Sequence, residues 1–355
     1  MKKLFFAGSA NGEAPAGLRV FEFDTASGAI KEVNRVEKSE NPGYLAISSN
    51  GLRLYAAQQV APGANGWRGG IVVYKVEGAE LEKLAEYSCA PSVPCHISLS
   101  NDGKKLAWAE YSGAWAGVFD IDGSGLLSGT ACQVNHEGSG PNKSRQEAAH
   151  CHYAAFTPDD ATVCICDLGI DRVVCYSRDC QDGKMVEVEG AGYTTKPGAG
   201  PRHMAFHPNG KFVFLLNELD STLVSLRNLG GGALTEIGTY PTLPRGFIGE
   251  SKSAAVKVSP NGKWVLASNR GNDSIAAFLI DEATGQLERT AVSPLTGRFP
   301  RDFEFSPDGK FVVVGHKLSD EIAVYSFDDF AGELERTKNV YRDMVKPLCF
   351  VFAKE

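Results

Sequence analysis

The chain has 355 residues, of which 43% are hydrophobic, enough to bury the core of one extended β architecture or of two ordinary domains. Its 43 acidic residues outnumber its 36 basic ones, for a net charge of −7. This charge argues against a nucleic-acid partner, because phosphate backbones bind basic surfaces. No apolar run approaches the roughly 20 residues that span a bilayer, so we expect no membrane partner either.

The cysteines and the start of the chain favour the cytoplasm. Nine cysteines without the spacing of a disulfide framework are typical of a reducing compartment. Cys164, Cys166 and Cys175 lie in apolar runs, where we expect small buried side chains. The apolar run after the two N-terminal lysines spans only about five residues, too short for the core of a signal peptide. We therefore predict a cytoplasmic protein.

A unit of roughly 50 residues recurs along the chain. In the copy GPRHMAFHPNGKFVFLLNEL, which begins at Gly200, an Asn-Gly pair joins two apolar strands. Such a pair predicts a type I′ hairpin with positive φ at both Asn209 and Gly210. Six copies align on this turn at intervals of 47–57 residues, and their second residues are Pro42, Pro94, Cys151, Pro201, Ser253 and Pro300.

A seventh copy is divided between the two ends of the chain. Residues 347–352 match the first strand of the unit, and residues 4–9 and 18–23 match the second and third strands. Periods of this length with several short strands indicate a β-propeller, and a divided blade removes exposed sheet edges. We predict an all-β fold: a seven-bladed β-propeller in a single domain, residues 1–355, with one blade closed by the N- and C-terminal strands.

Polar residues recur where the first strand of each unit starts and where the second strand ends. In a propeller these positions should surround one mouth of the central channel, away from the hairpin turns. Cations gathered there predict an anionic ligand, and arginine suits a carboxylate or phosphate. The alternative is that these charges simply meet water at strand ends. The candidates at these positions are His152, Arg202, Asn217, Glu218, Asn269, Arg270, Arg301 and Lys317, with His150 and His203 beside them.

Metal and cofactor motifs are weak. His150 and His152 share a strand face in principle, but no third ligand stands at a convincing position. His203 and His207 would lie about 13 Å apart on an extended strand. There is neither a phosphate-binding loop before a helix nor a nucleophile elbow. We predict no metal and no cofactor.

Several runs resemble the lactonase family of seven-bladed β-propellers, whose members include 6-phosphogluconolactonase and a fungal carboxymuconate-cyclising enzyme. They are GPRHMAFHPNGKFVFLLNELDSTLVSL, SAAVKVSPNGKWVLASNRGNDSI, PRDFEFSPDGKFVVVGHK and AHCHYAAFTPDDATVCICDLGIDRV. The resemblance covers essentially the whole chain. It implies a site made of a histidine, two arginines and a glutamate, which are here His152, Arg202, Glu218 and Arg270.

The leading hypothesis is hydrolysis of a sugar lactone, 6-phosphogluconolactone above all, in the oxidative pentose phosphate route. Water would attack the carbonyl, with His152 as general base and Glu218 orienting the water or the ring, although Glu218 could itself be the base. Arg202 and Arg270 would stabilise the oxyanion. Arg301, Lys317 and the other candidates would bind the substrate. Two alternatives remain: a carboxymuconate-type lactonising cyclase, and a non-catalytic propeller that binds an anion or a partner.

Overall fold

The structure, a computed structural model, describes residues 1–10 and 17–354. These residues form 28 strands, arranged in seven four-stranded antiparallel sheets. No helix in this part of the chain has the length and apolar character needed to cross a membrane. The predicted all-β fold class with seven four-stranded blades is confirmed.

The sheets fall into two compact units. The three-sheet unit consists of Lys38–Arg202 with Leu229–Leu234 and the residues after Phe352, and the four-sheet unit consists of Met1–Glu37, His203–Asn228 and Thr235–Phe352. The single domain expected from the sequence stays a prediction.

The three-sheet unit contains the strands β4 to β15. Their bounds are β4 Tyr44–Ile47, β5 Arg53–Gln59, β6 Gly69–Glu77, β7 Glu80–Ala90, β8 His96–Leu99, β9 Lys105–Glu110, β10 Trp115–Ile121, β11 Leu127–Asn135, β12 Cys151–Phe156, β13 Thr162–Asp167, β14 Arg172–Ser177 and β15 Tyr193–Thr194. Consecutive groups of four form the sheets, and within each sheet the hydrogen-bonded order follows the chain.

The four-sheet unit contains the remaining strands, apart from the first residues of β16 and β19. Their bounds are β1 Lys2–Ser9, β2 Leu18–Asp24, β3 Ile30–Val36, β16 Pro201–Phe206, β17 Phe212–Asn217, β18 Thr222–Asn228, β19 Leu234–Pro241, β20 Lys252–Val258, β21 Trp264–Arg270, β22 Ser274–Ile280, β23 Leu287–Pro294, β24 Pro300–Phe305, β25 Phe311–His316, β26 Glu321–Phe327, β27 Leu334–Tyr341 and β28 Pro347–Phe352.

One sheet joins the two ends of the chain, as predicted. Its order is β28-β1-β2-β3, and β28 pairs antiparallel with β1. The Phe5 ring stacks on Phe21 with centroids 4.8 Å apart and meets Phe352 at 5.4 Å. Apolar side chains from both ends of the sequence therefore bury one another.

The hairpin between β16 and β17 differs from the expected type I′ turn. Of the two central residues, only Gly210 takes a positive φ, of 71°, and its N–H donates to the His207 carbonyl at 2.8 Å. Pro208 stands at the second position of this turn and fixes φ near −65°, which selects type I geometry followed by a left-handed glycine. The expectation for Asn209 was wrong because it ignored the preceding proline.

The core lies between neighbouring sheets inside each unit. In the four-sheet unit, Trp264 of β21 is 1% exposed, and its ring centroid lies 6.0 Å from that of Phe327 in β26. In the three-sheet unit, Trp108 of β9 is fully buried beside Tyr55 of β5. The buried strand residues between neighbouring sheets are mostly apolar and range in size from alanine to tryptophan, as face-to-face sheet packing requires.

A recurring aspartate fixes where the next sheet begins. Asp171, Asp273 and Asp320 have φ of 57°, 51° and 50° in the turn that follows the second strand of a sheet. Each carboxylate accepts an N–H from the residue that precedes the first strand of the next sheet. The pairs are Asp171 with Gly200 at 2.9 Å, Asp273 with Phe299 at 2.8 Å and Asp320 with Lys346 at 2.8 Å.

Cys132 in β11 and Cys180 after β14 form a disulfide. The cysteine spacing did not indicate this bond, because the partners are 48 residues apart and only the fold brings them together. Seven cysteines remain as thiols, six of them buried. Disulfides persist in oxidising compartments, so the cytoplasmic location stays a prediction without its cysteine argument.

Deleting Lys346–Glu355 should abolish soluble expression, because it removes β28 and leaves β1 as an unpaired edge. Deleting only Ala353–Glu355, which follow β28, is the matched control and should melt like the full chain. Expression yield and thermal unfolding of both variants measure this. If the longer deletion melted like the full chain, β28 would not be needed to complete its sheet.

Replacing Cys132 and Cys180 by serine should lower the free energy of unfolding by about 2–4 kcal/mol, since the bond closes a long loop. Dithiothreitol should lower the melting temperature of the wild type and leave that of the double variant unchanged. A thiol titration of the denatured wild type should count seven thiols. Nine thiols, or a melting temperature insensitive to reductant, would show that the disulfide does not form.

Candidate active site

The four predicted catalytic residues divide between the two units. His152 and Arg202 belong to the three-sheet unit, and Glu218 and Arg270 belong to the four-sheet unit. All four are buried, with exposures of 5%, 2%, 3% and 6% in that order. Charged side chains that are buried to this extent require hydrogen-bond or ion-pair partners.

β-Bulges mark the positions that the repeat alignment singled out at strand starts. In β12 the register passes from Cys151 to Tyr153 while β13 advances by one residue, so His152 is the extra residue. The same shift makes Arg301 the extra residue of β24 and Leu348 that of β28. Bulges bend the strand and re-aim a side chain. His152 and Arg301 therefore leave the regular in-out alternation of their strands.

Glu218 and Arg270 form an ion pair at the ends of two strands. Glu218 follows β17, Arg270 ends β21, and Oε2 lies 2.7 Å from Nη2. Arg270 also donates from Nε to the Lys252 carbonyl and from Nη2 to the Ser253 carbonyl, both at 3.0 Å. These bonds hold one edge of the guanidinium in place.

Lys317 lies within electrostatic reach of Arg270 and of two further cations. Burial, together with the charges of Arg301, Arg270 and Lys346, lowers the pKa of the Lys317 ammonium. Within the described residues neither Arg301 nor Lys317 has a carboxylate within 4.0 Å, whereas Glu218 pairs with Arg270. A half-buried group of like charges is unfavourable until an anion binds. The four-sheet unit thus presents a candidate anion-binding cluster, which consists of Arg270, Arg301, Lys317 and Lys346.

Aromatic stacking orders the histidines of the three-sheet unit. The rings of His150 and Tyr111 are parallel within 2° with centroids 4.2 Å apart, and Tyr111 meets His152 edge-on at 5.6 Å. His150 Nδ1 lies 3.0 Å from the Tyr111 carbonyl and Nε2 lies 3.2 Å from Glu147 Oε1. Because both nitrogens of His150 have protein partners, we assign this histidine to positioning Tyr111.

The other predicted binding residues differ in what they can offer a ligand. Asn269 is fully buried, and its side-chain amide forms hydrogen bonds with Thr242, Ser253 and Ser274. We assign it a structural role. Asn217 donates to Thr222 at 2.9 Å, while its Oδ1 has no partner in the described part of the chain. His203 is buried in β16.

The structure contains a buried polar cluster around Asp167 that the sequence patterns did not predict. Its Oδ2 lies 2.7 Å from Nδ1 of His136, and His136 Nε2 lies 2.8 Å from the Tyr176 hydroxyl. Oδ1 of Asp167 accepts the His150 N–H at 2.7 Å, and burial raises the pKa of the neighbouring Cys151 thiol. Cys151, Asp167 and His136 are all residues that can bind metals. We interpret the cluster as structural, because each ring nitrogen of His136 is hydrogen-bonded and the network anchors the start of β12.

Phe299 is a second residue that the sequence did not single out. Its ring centroid lies 5.2 Å from Cζ of Arg270. A signal was present: the alignment places this aromatic residue where other copies have Asn41, Gly200 and Lys346.

Comparison with known proteins agrees with the fold. The sequence model of a family described as lactonase, 7-bladed beta-propeller, matches residues 4–352. The 6-phosphogluconolactonase of Bacillus subtilis is 33% identical over 307 residues, 86% of this chain and 85% of the relative. That of Formosa agariphila is 30% identical over 84% of this chain and 85% of its own. The structure of the Pseudomonas aeruginosa periplasmic gluconolactonase superimposes with a TM-score of 0.89 at 26% identity, covering 99% of each chain.

Proposed function

The chain belongs to the lactonase family of seven-bladed β-propellers, and on that premise we propose that it hydrolyses 6-phosphogluconolactone to 6-phosphogluconate. The observation that carries the proposal is the Glu218–Arg270 pair, together with Lys317, whose ammonium is within electrostatic reach of Arg270 and Arg301. An ester carbonyl needs a fixed cation where its oxyanion develops, and a phosphoryl group needs further cations. The anion-binding cluster supplies both kinds of group.

The hydrolytic step would use the predicted residues in distinct roles. Arg270 would stabilise the oxyanion, because hydrogen bonds hold the edge of its guanidinium before the substrate arrives and little reorganisation is needed. His152 keeps its role as the proposed general base, because a neutral imidazole can accept a proton from water. Glu218 would orient the attacking water while its charge holds Arg270. Arg202 would assist at the oxyanion.

Arg301 and Lys317 would bind the phosphate. Neither has a carboxylate partner in the described residues, and a bound dianion would offset the burial and the neighbouring positive charges that lower the pKa of Lys317. The proposal needs no cofactor or metal, and the chemistry would place the enzyme in the oxidative pentose phosphate route. A small anionic lactone is the proposed partner, and a cytoplasmic location belongs to the same proposal.

Purified protein should consume freshly prepared 6-phosphogluconolactone well above the spontaneous rate, and His152→Ala should lower kcat by about 10²–10⁴. Glu218→Gln should lower kcat less and also reduce the melting temperature, because it leaves Arg270 buried without its anionic partner. Turnover and thermal unfolding measure both effects. Glu333→Gln, which removes an exposed carboxylate, is the matched control and should behave like the wild type.

Wild-type turnover by both variants would contradict the proposed site. A folded Glu218→Gln variant without activity beside a fully active His152→Ala variant would assign the base to Glu218. If the protein cyclised a carboxymuconate and left the phosphorylated lactone untouched, the lactonising alternative would replace the proposed reaction.

Arg301→Ala should weaken binding of the phosphorylated lactone by about tenfold to a hundredfold, the range for hydrogen bonds to charged groups. KM for the unphosphorylated gluconolactone should change little. Lys310→Ala removes the same charge from the hairpin turn at the other end of β24 and should leave both values unchanged. Equal losses on the two lactones would show that Arg301 does not bind the phosphate.

A further inference from the structure

Phe299 has a strained backbone. Its φ is 64° and it precedes Pro300, although a residue before proline favours extended conformations and bulky side chains avoid positive φ. The corresponding residues in three other copies, Asn41, Gly200 and Lys346, have φ of 58°, 67° and 48°. Asparagine and glycine tolerate this conformation. A large aromatic side chain at this position costs free energy that asparagine or glycine would avoid.

Neighbouring groups hold the segment 295–299 in place. The Asp273 carboxylate accepts the Phe299 N–H at 2.8 Å, and the Phe299 carbonyl accepts the Lys317 N–H at 3.0 Å. Gly297 lies directly on the buried ring of His316, so closely that a Cβ would come within 2.2 Å of the imidazole. Strained residues persist where the surroundings determine them in this way, and they concentrate at functional sites.

The strained residue lies against the guanidinium that the proposed reaction uses. The Phe299 ring centroid is 5.2 Å from Cζ of Arg270, within the range of a cation–π contact. Hydrogen bonds from Nε and Nη2 hold the edge of the guanidinium, and the Glu218 carboxylate holds Nη2 as well. Arg270 Cζ lies over the Phe299 ring, so the ring adds a contact beyond these edge bonds, which by themselves allow the guanidinium to tilt.

We propose that Phe299 is a positioning residue that fixes the tilt of the Arg270 guanidinium, and that the chain keeps its strained backbone for this purpose. The inference rests on the proposed function, since Arg270 is there the oxyanion-stabilising group. Phe299 also contacts other members of the anion-binding cluster. Its carbonyl accepts the N–H of Lys317, and Arg301 follows it by two residues in the chain.

Relief of the backbone strain should raise the melting temperature, whereas loss of the positioning contact should lower kcat, so the two effects can be measured separately. Phe299→Gly and Phe299→Asn should match or exceed the wild-type melting temperature, because both residues accept a positive φ. The same variants should lower kcat on 6-phosphogluconolactone by about tenfold with little change in KM, while Phe299→Tyr retains the aromatic contact and stays within about threefold. Asn41→Gly alters the corresponding left-handed position in another sheet and should leave kcat unchanged.

A readout independent of turnover comes from the Arg270 Nε–H signal in a ¹H–¹⁵N NMR spectrum, assigned by its loss in Arg270→Lys. The aromatic ring should shift this signal in the wild type and in Phe299→Tyr, and the shift should disappear in Phe299→Gly. Wild-type kcat or an unmoved signal in Phe299→Gly would overturn the inference, as would a melting temperature lowered by several degrees. If the wild type lacked lactonase activity, the proposed function would fail, while the signal and the melting temperatures would still decide whether Phe299 positions Arg270.

Discussion

An aspartate carboxylate in a left-handed turn determines where each of three sheets begins. The carboxylate in each case accepts a hydrogen bond from the backbone N–H of the residue directly before a proline. The pairs are Asp171 before Pro201, Asp273 before Pro300 and Asp320 before Pro347. The residues after those prolines are Arg202, Arg301 and Leu348, and the last two are bulge residues. A hydrogen bond to an ionised acceptor is stronger than one between neutral groups. The first residues of these strands, which include Arg202 and Arg301, are therefore held in place by hydrogen bonds of the fold.

This arrangement explains how an acidic protein presents a cationic site. The net charge is −7, yet Arg301 and Lys317 have no carboxylate partner in the described residues, and the pKa of Lys317 is lowered. The surrounding sheets hold these cations where solvent is scarce. A bound anionic substrate would offset the repulsion among them. Glu218 is placed to fix Arg270 without neutralising its neighbours.

Because the unit recurs along the chain, most of the fold could be predicted from the sequence. Turn glycines, apolar alternation and intervals near 50 residues were enough to place seven units and to join the two ends of the chain, as β28 and β1 confirm. The turn type at Asn209 was predicted wrongly, because a local pair was read without Pro208. The Cys132–Cys180 bond escaped prediction because it depends on tertiary contacts. The strain at Phe299 escaped for the same reason, since nothing local predicts a positive φ for phenylalanine before proline.

The pairing of β28 with β1 also sets an order for biosynthesis. More than 330 residues separate the two strands along the chain, and translation at about 5–20 residues per second takes tens of seconds to cover that distance. Throughout this time β1 has an unpaired edge that can join other chains. The nascent protein must shield that edge until β28 emerges, because the sheet that joins β28 to β1 can be completed only after the other described strands have been synthesised.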